Sequence, residues 1–183
     1  MNKISFKSHR PVTQAAAAAL AFGALVAMAP LAGAAGAPPT LRPDGVGPVR
    51  VGMDTFQIRA ALGEKTVKLP DNAPDAQCFY LRAQQYPELR FLMEGGTLRR
   101  IDTREPGMST ADGIRRGDTL AKVQALYGER LKTESSKTGG GKDWTLTVQD
   151  PDGVHATRFE TRDGYVEHIV AGFTEQVENP GCV

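Results

Sequence analysis

Among the 21 acidic residues of this 183-residue chain, Asp102, Glu105, Glu160 and Glu167 lie on or beside expected strands and could supply an acid and a base, and beyond the first 34 residues the histidines are His155 and His168. A pair of carboxylates flanking one bond can hydrolyse a glycoside, one as acid and the other as base or nucleophile. Their spacing here places no two of them in a common cleft. Zinc chemistry needs three or four ligands, and neither histidine sits in H-E-x-x-H or beside a cysteine pair, so both read as strand-surface residues. Ser109, Ser135 and Ser136 lie in polar connecting segments without the G-x-S-x-G turn of an activated nucleophile. Gly139-Gly140-Gly141-Lys142 lacks the spacing of a phosphate-cradling loop. Asp150-Pro151-Asp152-Gly153 lacks the repeated acids and closing glutamate of a calcium loop and reads as a turn. The expectation is a chain with no catalytic residue, no metal site and no cofactor.

The cysteines carry the one covalent chemistry that is legible. Lys3, Lys7 and Arg10 precede an alanine-rich apolar run over residues 15–31 and the small-residue stretch Ala32-Gly33-Ala34-Ala35-Gly36-Ala37. That order describes a secretory signal peptide over residues 1–34, cleaved after Ala34. The run is dominated by alanine and glycine and contains Pro30, unlike the roughly 20 strongly apolar residues of a spanning helix, so no transmembrane segment is expected in the mature chain. A periplasmic or secreted location oxidises thiols, and Cys78 with Cys182 then reads as a disulfide that pins the C-terminal tail onto the first half of the chain. Removing the leader takes three of 22 basic residues and none of 21 acidic ones, which leaves a slightly acidic protein. Nucleic acid is therefore not an expected partner.

What positions these groups is a repeat. Val51-Gly52-Met53-Asp54 through Gly63 returns as Arg116-Gly117-Asp118-Thr119 through Gly128, shifted by 65 positions, and Arg90-Phe91 with Gly96 to Ile101 returns as Arg158-Phe159 with Gly164 to Ile169, shifted by 68. Asp54 and Thr119 are N-cap residues. Ile58, Ala61 and Leu62, matched by Val123, Leu126 and Tyr127, form the apolar stripe of a short helix that ends at glycine. The remainder of each copy reads as four short strands: 66–69, 78–82, 90–93 and 98–103 in the first, 131–134, 144–148, 156–161 and 165–173 in the second, with residues 70–75 and 138–142 as loops. The three-residue spacing of Leu98 and Ile101, and of Val166 and Ile169, suggests a bulge in each copy.

The expected fold class is α+β: two tandem repeats, each a short helix plus a four-stranded antiparallel meander, forming one sheet of about eight strands with both helices on one face. In domain terms, residues 35–44 would be a flexible N-terminal segment and residues 45–183 a single domain, with repeats at 45–104 and 110–173 and a tail at 174–183. The glycine pattern at 45–54, the helix ending Ala61-Leu62-Gly63, the Cys78-Phe79-Tyr80 strand and the Gly113 to Thr119 opening resemble exported bacterial proteins. Their helix-plus-meander units are similar to those of the beta-lactamase inhibitory protein and of small outer-membrane assembly lipoproteins. The resemblance implies the fold and no activity. It also has departures, since the inhibitory protein carries a disulfide in each repeat and the lipoproteins an acylated cysteine.

A sheet covered on one face leaves the other to water or a partner, where arginine and aromatic residues are enriched. Tyr80, Arg90, Arg99, Arg100, Trp144, Arg158 and Tyr165 lie on the expected strands and are the candidate partner-binding residues. His168 takes the place of Arg100 in the second copy and reads as solvated or partner-facing. The function this supports is a non-catalytic periplasmic binding protein that recognises another protein or an envelope component through the open sheet face. The alternatives are a small-molecule or peptide carrier with a cavity between sheet and helices, and a carboxylate-dependent hydrolase.

Overall fold

Asp54 and Thr119 each accept a bond from a main-chain N–H three residues on, at 2.8 Å to Gln57 and 3.2 Å to Lys122, and so start the two longer helices. Gln57 completes a capping box by accepting from the Asp54 N–H. In the computed structural model, which describes residues 39–71, 77–135 and 143–182, these are α1 (Thr55–Leu62) and α2 (Leu120–Tyr127). Each stops at a glycine with positive φ, +90° at Gly63 and +54° at Gly128. Their ψ values, 127° and −129°, lie outside the left-handed helical basin, and a single 3-10 turn follows each helix, with the Gly128 N–H still donating to the Gln124 carbonyl at the end of α2. The proposed signal peptide, the 138–142 loop and most of the 70–75 turn lie outside the described residues.

Short strands make two sheets. β1 (Leu41–Arg42), β2 (Gly45–Val46) and β3 (Val49–Arg50) form a separate three-stranded antiparallel sheet. The larger sheet holds β4 (Val67–Lys68), β5 (Cys78–Ala83), β6 (Tyr86–Glu94), β7 (Thr97–Thr103), β8 (Leu131–Ser135), β9 (Trp144–Gln149), β10 (His155–Arg162) and β11 (Tyr165–Phe173). Its eight strands run antiparallel in the order β4-β5-β6-β7-β11-β10-β9-β8, so two meanders meet at the β7–β11 seam, where Asp102 pairs with Val170. The bulges fall at Arg99 and Glu167, the extra residues between the pairs Leu92↔Arg100 and Met93↔Leu98, and between Glu160↔His168 and Thr161↔Val166.

Alternation sorts the strand residues. Leu81, Leu89, Phe91, Leu98, Ile101, Leu146, Phe159 and Ile169 enter one hydrophobic cluster, and α1 and α2 add Ile58, Leu62, Val123 and Tyr127 to it. Helices of this length are too short to persist alone in water, so this burial is what holds them. The intervening positions, among them Arg90, Arg100, Asp102, Arg158, Glu160 and His168, form a second, polar face.

Two findings correct the sequence reading. The segment expected to be flexible supplies β1, where Leu41 is fully buried and exchanges main-chain bonds with Ser109 and Ala111. Strands of two residues have no periodicity to read. The tail contains α3 (Thr174–Glu178), whose Val177 packs with Ala156 and Val170 in a small cluster of its own, so part of the face expected to be open is covered. Among the described residues no helix is long and apolar enough to cross a membrane.

Candidate polar-face binding site

Asp102 lies at the seam of the large sheet with its carboxylate fully buried, surrounded by cations that strand pairing delivers. Arg90, its β6 partner, reaches it at 3.1 Å. Arg100 Nε stands 3.6 Å from Oδ1 and His168 Nε2 3.7 Å from Oδ2, both beyond hydrogen-bond distance. Those two nitrogens and Oδ1 are buried with no hydrogen-bond partner, so this inner cluster is held by charge more than by directed bonds. His168 Nδ1 bonds Glu160 at 2.9 Å, and Glu160 takes a second contact from Arg158 at 2.9 Å. A chain of alternating charge therefore runs Arg90, Asp102, His168, Glu160, Arg158.

The charges in that chain are mutually fixed. The bond from His168 holds the Glu160 carboxyl down at about 2 against the opposing effect of burial, and Arg158 and Arg104 add to the pull. Burial pushes the His168 imidazolium toward losing its proton, but Asp102 and Glu160 on either side outweigh it and raise the histidine. A carboxyl held at that level stays ionised and is a poor proton donor. Arg104, half exposed, sits 3.8 Å from Glu160 and 3.9 Å from Glu167, a looser pairing than any of the inner arginines makes.

Across this face runs the C-terminal strap, residues 174–182. Arg100 donates to the carbonyls of Gln176 (2.8 Å), Asn179 and Pro180 (3.4 Å) and to the Tyr80 hydroxyl (3.2 Å). Arg158 donates to the carbonyls of Val177 (3.0 Å) and Glu178 (3.2 Å). Lys132 bonds Glu178 from the β8 edge at 3.1 Å. Cys78 and Cys182 form the disulfide, joining positions 104 apart in sequence and tying the end of the strap to β5. Beside the strap a cleft of about 790 Å³ stays open, lined by Arg100, Arg104, Glu134, Arg158, Glu160 and His168.

Four of the candidate partner-binding residues meet here. Arg90 stacks its guanidinium over the Tyr80 ring at 4.9 Å, and Arg100 and Arg158 grip the strap. Three lie elsewhere. Trp144 shares its side of β9 with Leu146 and Val148 and packs against the main cluster, as the alternation of the strand requires. Arg99, the bulged residue, lies over the Phe173 ring at 4.5 Å. Tyr165 is 55% exposed beside Arg116 and Arg162, where a second cavity of about 410 Å³ opens.

His168, expected to be solvated or partner-facing, is 5% exposed, held between Glu160 on the neighbouring strand and Asp102 across the seam, a pairing that its own local sequence does not reveal. His155 stacks on Phe173 with ring centroids 5.3 Å apart and bonds Asp152 in the turn before β10. Among the described residues no group of three or more His, Cys, Asp or Glu side chains is arranged to hold a metal ion. The strap carbonyls also escaped notice, since main-chain acceptors leave no mark in side-chain identity. The only hint was Cys182, already expected to pin the tail. Comparison with protein-family models, curated proteins and solved structures finds no match for this chain.

Proposed function

We propose that this protein is an exported, non-catalytic binding protein that recognises another protein or an envelope component through the polar face of its large sheet. The observation that carries the reading is the open cleft beside the strap. It is of ligand-site size and walled by arginine, histidine and glutamate from at least four strands of a rigid sheet, a setting for recognising a polar surface. The state of its groups speaks against acid–base catalysis: Glu160 is held ionised by His168, and Asp102 is sealed from solvent. A carrier with its cavity between sheet and helices has little support, since Ile58, Phe91, Val123 and Phe159 fill that space.

The reading includes an origin by duplication, with α1 and α2 on one face of the sheet. Gly52 N–H bonds Leu98 O and Leu98 N–H bonds Met53 O, while Gly117 N–H bonds Val166 O and Val166 N–H bonds Asp118 O. The same pairs thus recur at the offsets of the sequence repeat, as do the buried Ile58 with Val123, Leu62 with Tyr127, and the two bulges. A fold resembling the helix-plus-meander units of the beta-lactamase inhibitory protein and of small outer-membrane assembly lipoproteins is part of the same proposal. A signal peptide over residues 1–34 and a periplasmic or secreted location belong to the same proposal and agree with the disulfide.

The test is capture from periplasmic extract with the mature chain, comparing wild type with Arg104→Glu, which reverses the least engaged cation of the cleft. Recovery of a partner by wild type and its loss in the variant is the expected result. Turnover in a substrate panel, abolished by Glu160→Gln with nothing captured, would replace this reading with the hydrolase.

A further inference from the structure

The strap lies on the polar face as a bound peptide would. Arg100 and Arg158 hold it entirely through main-chain oxygens, the five consecutive carbonyls from Gln176 to Pro180. Main-chain contacts give affinity for a segment of matching backbone, here the short turn of α3 and the extended chain from Asn179, whatever its side chains, and a side-chain socket supplies selectivity. Here the socket is the pair Ala156 and Val170, and its occupant is Val177. Further along, Gly181 passes with φ +97°, a left-handed backbone that favours glycine, and a β-carbon there would press on the Tyr80 hydroxyl and the Arg100 guanidinium.

Apart from the arginine–carbonyl bonds, little besides the disulfide secures this occupant. α3 has five residues and no side-chain cap at its start, far short of a helix that holds itself together. Its apolar contact is one valine, and its outer ion pair, Lys132 with Glu178, joins two exposed groups worth about 0–1 kcal/mol. The Cys78–Cys182 bond keeps the far end in place, and neither cysteine is fully buried.

We propose that the polar face beneath residues 174–182 is a binding surface for a peptide segment of a partner protein, one that forms a helical turn carrying a small β-branched anchor and continues as extended chain with unobstructed carbonyls, and that the strap is its resident occupant. Opening the disulfide yields the face to the partner. The step is thiol–disulfide exchange: a dithiol forms its own disulfide, two electrons and two protons pass to the Cys78–Cys182 bond, and both cysteines become thiols. With the bond closed, a strap tethered directly to β11 outcompetes any peptide in trans through its high effective concentration. This inference rests on the binding reading above and narrows it to a ligand class.

The experiment uses the full mature chain and a fluorescent peptide of residues 174–183 with serine at position 182. Anisotropy is measured for the oxidised wild type, the dithiol-treated wild type, Cys78→Ser, and Cys78→Ser with Val177→Asp, whose own strap cannot seat. The expected result is at least a roughly tenfold gain in peptide affinity from oxidised to opened chain, largest in the double variant and lost when Arg158→Ala is added. Faster hydrogen exchange across 174–182 on reduction accompanies it and serves as the readout if the double variant fails to fold. Unchanged exchange with no peptide binding by any opened form overturns the proposal. If the oxidised and opened chains capture a partner from extract equally well, the face beneath the strap is not the site, although the binding reading survives.

Discussion

Replacing Glu160 by glutamine should remove a defined part of the acid sensitivity of this fold. The Glu160 carboxyl is held at about 2 against an ordinary 4.5, so its ionised form is favoured in the folded state. A depressed acid contributes stability that is fully present above about 4.5 and is lost as pH falls toward 2. At about 1.36 kcal/mol per unit the full shift would be near 3.4 kcal/mol. A third of the side chain is exposed and its partners share the interaction, so solvent screening reduces the figure to about 1–2 kcal/mol. His168 contributes with the opposite sign: raised in the folded state, it stabilises below its unfolded value near 6.5 and loses that contribution as pH climbs through the folded one. The pair therefore gives greatest stability between about 4.5 and 6.5. Urea unfolding from pH 7 to pH 2.5 measures this. The difference between wild type and Glu160→Gln should shrink by about 1–2 kcal/mol from pH 5 to pH 2.5. Parallel curves over that interval would mean that Glu160 is not engaged as described, and the polar chain would fail at its centre.

Four other outcomes follow from the same contacts. Ile58→Ala, at a fully buried helix position, should cost about 2–5 kcal/mol in chemical denaturation, whereas Phe56→Ser two residues earlier, at 81% exposure, should change stability by less than about 0.5 kcal/mol. Replacing both cysteines by alanine should destabilise by about 2–5 kcal/mol, the chain-entropy value for a loop of roughly 100 residues being about 4.7 kcal/mol. Gly181→Ala should leave the sheet intact but unseat the strap, so that alkylation after brief dithiol treatment labels Cys78 and Cys182 faster than in wild type. Asp102→Ala should cost about 3–5 kcal/mol by stranding Arg100 and His168, and more than Arg90→Ala, whose removal leaves Asp102 two cations.

How far the sequence discloses this arrangement depends on the range of the forces involved. Caps and stop glycines are local, and Asp54, Thr119, Gly63 and Gly128 mark the helices in the sequence and in the structure. Strand β11 has the limits expected of it, 165–173, because the Asp163-Gly164 turn precedes it and residues on both its faces are buried. The paired bulges follow from three-residue spacing in the same way. The three-stranded sheet and α3 were not legible: two-residue strands and a five-residue helix are fixed by contacts with distant segments. The candidate site was half legible for the same reason. Tyr80, Arg90, Arg100 and Arg158 alternate onto one face by strand geometry alone. Nothing local reveals that the strap returns across them and turns Arg100 from a surface cation into one 3% exposed.

The most direct test of the polar face as the binding surface is site-specific photocrosslinking in periplasmic extract. A crosslinking residue is placed either at Ser135, in the cleft, or at Phe56, on the exposed side of α1. The account predicts a discrete adduct from position 135 that vanishes in Arg104→Glu, and none from position 56. Adducts formed from position 56 alone would contradict it.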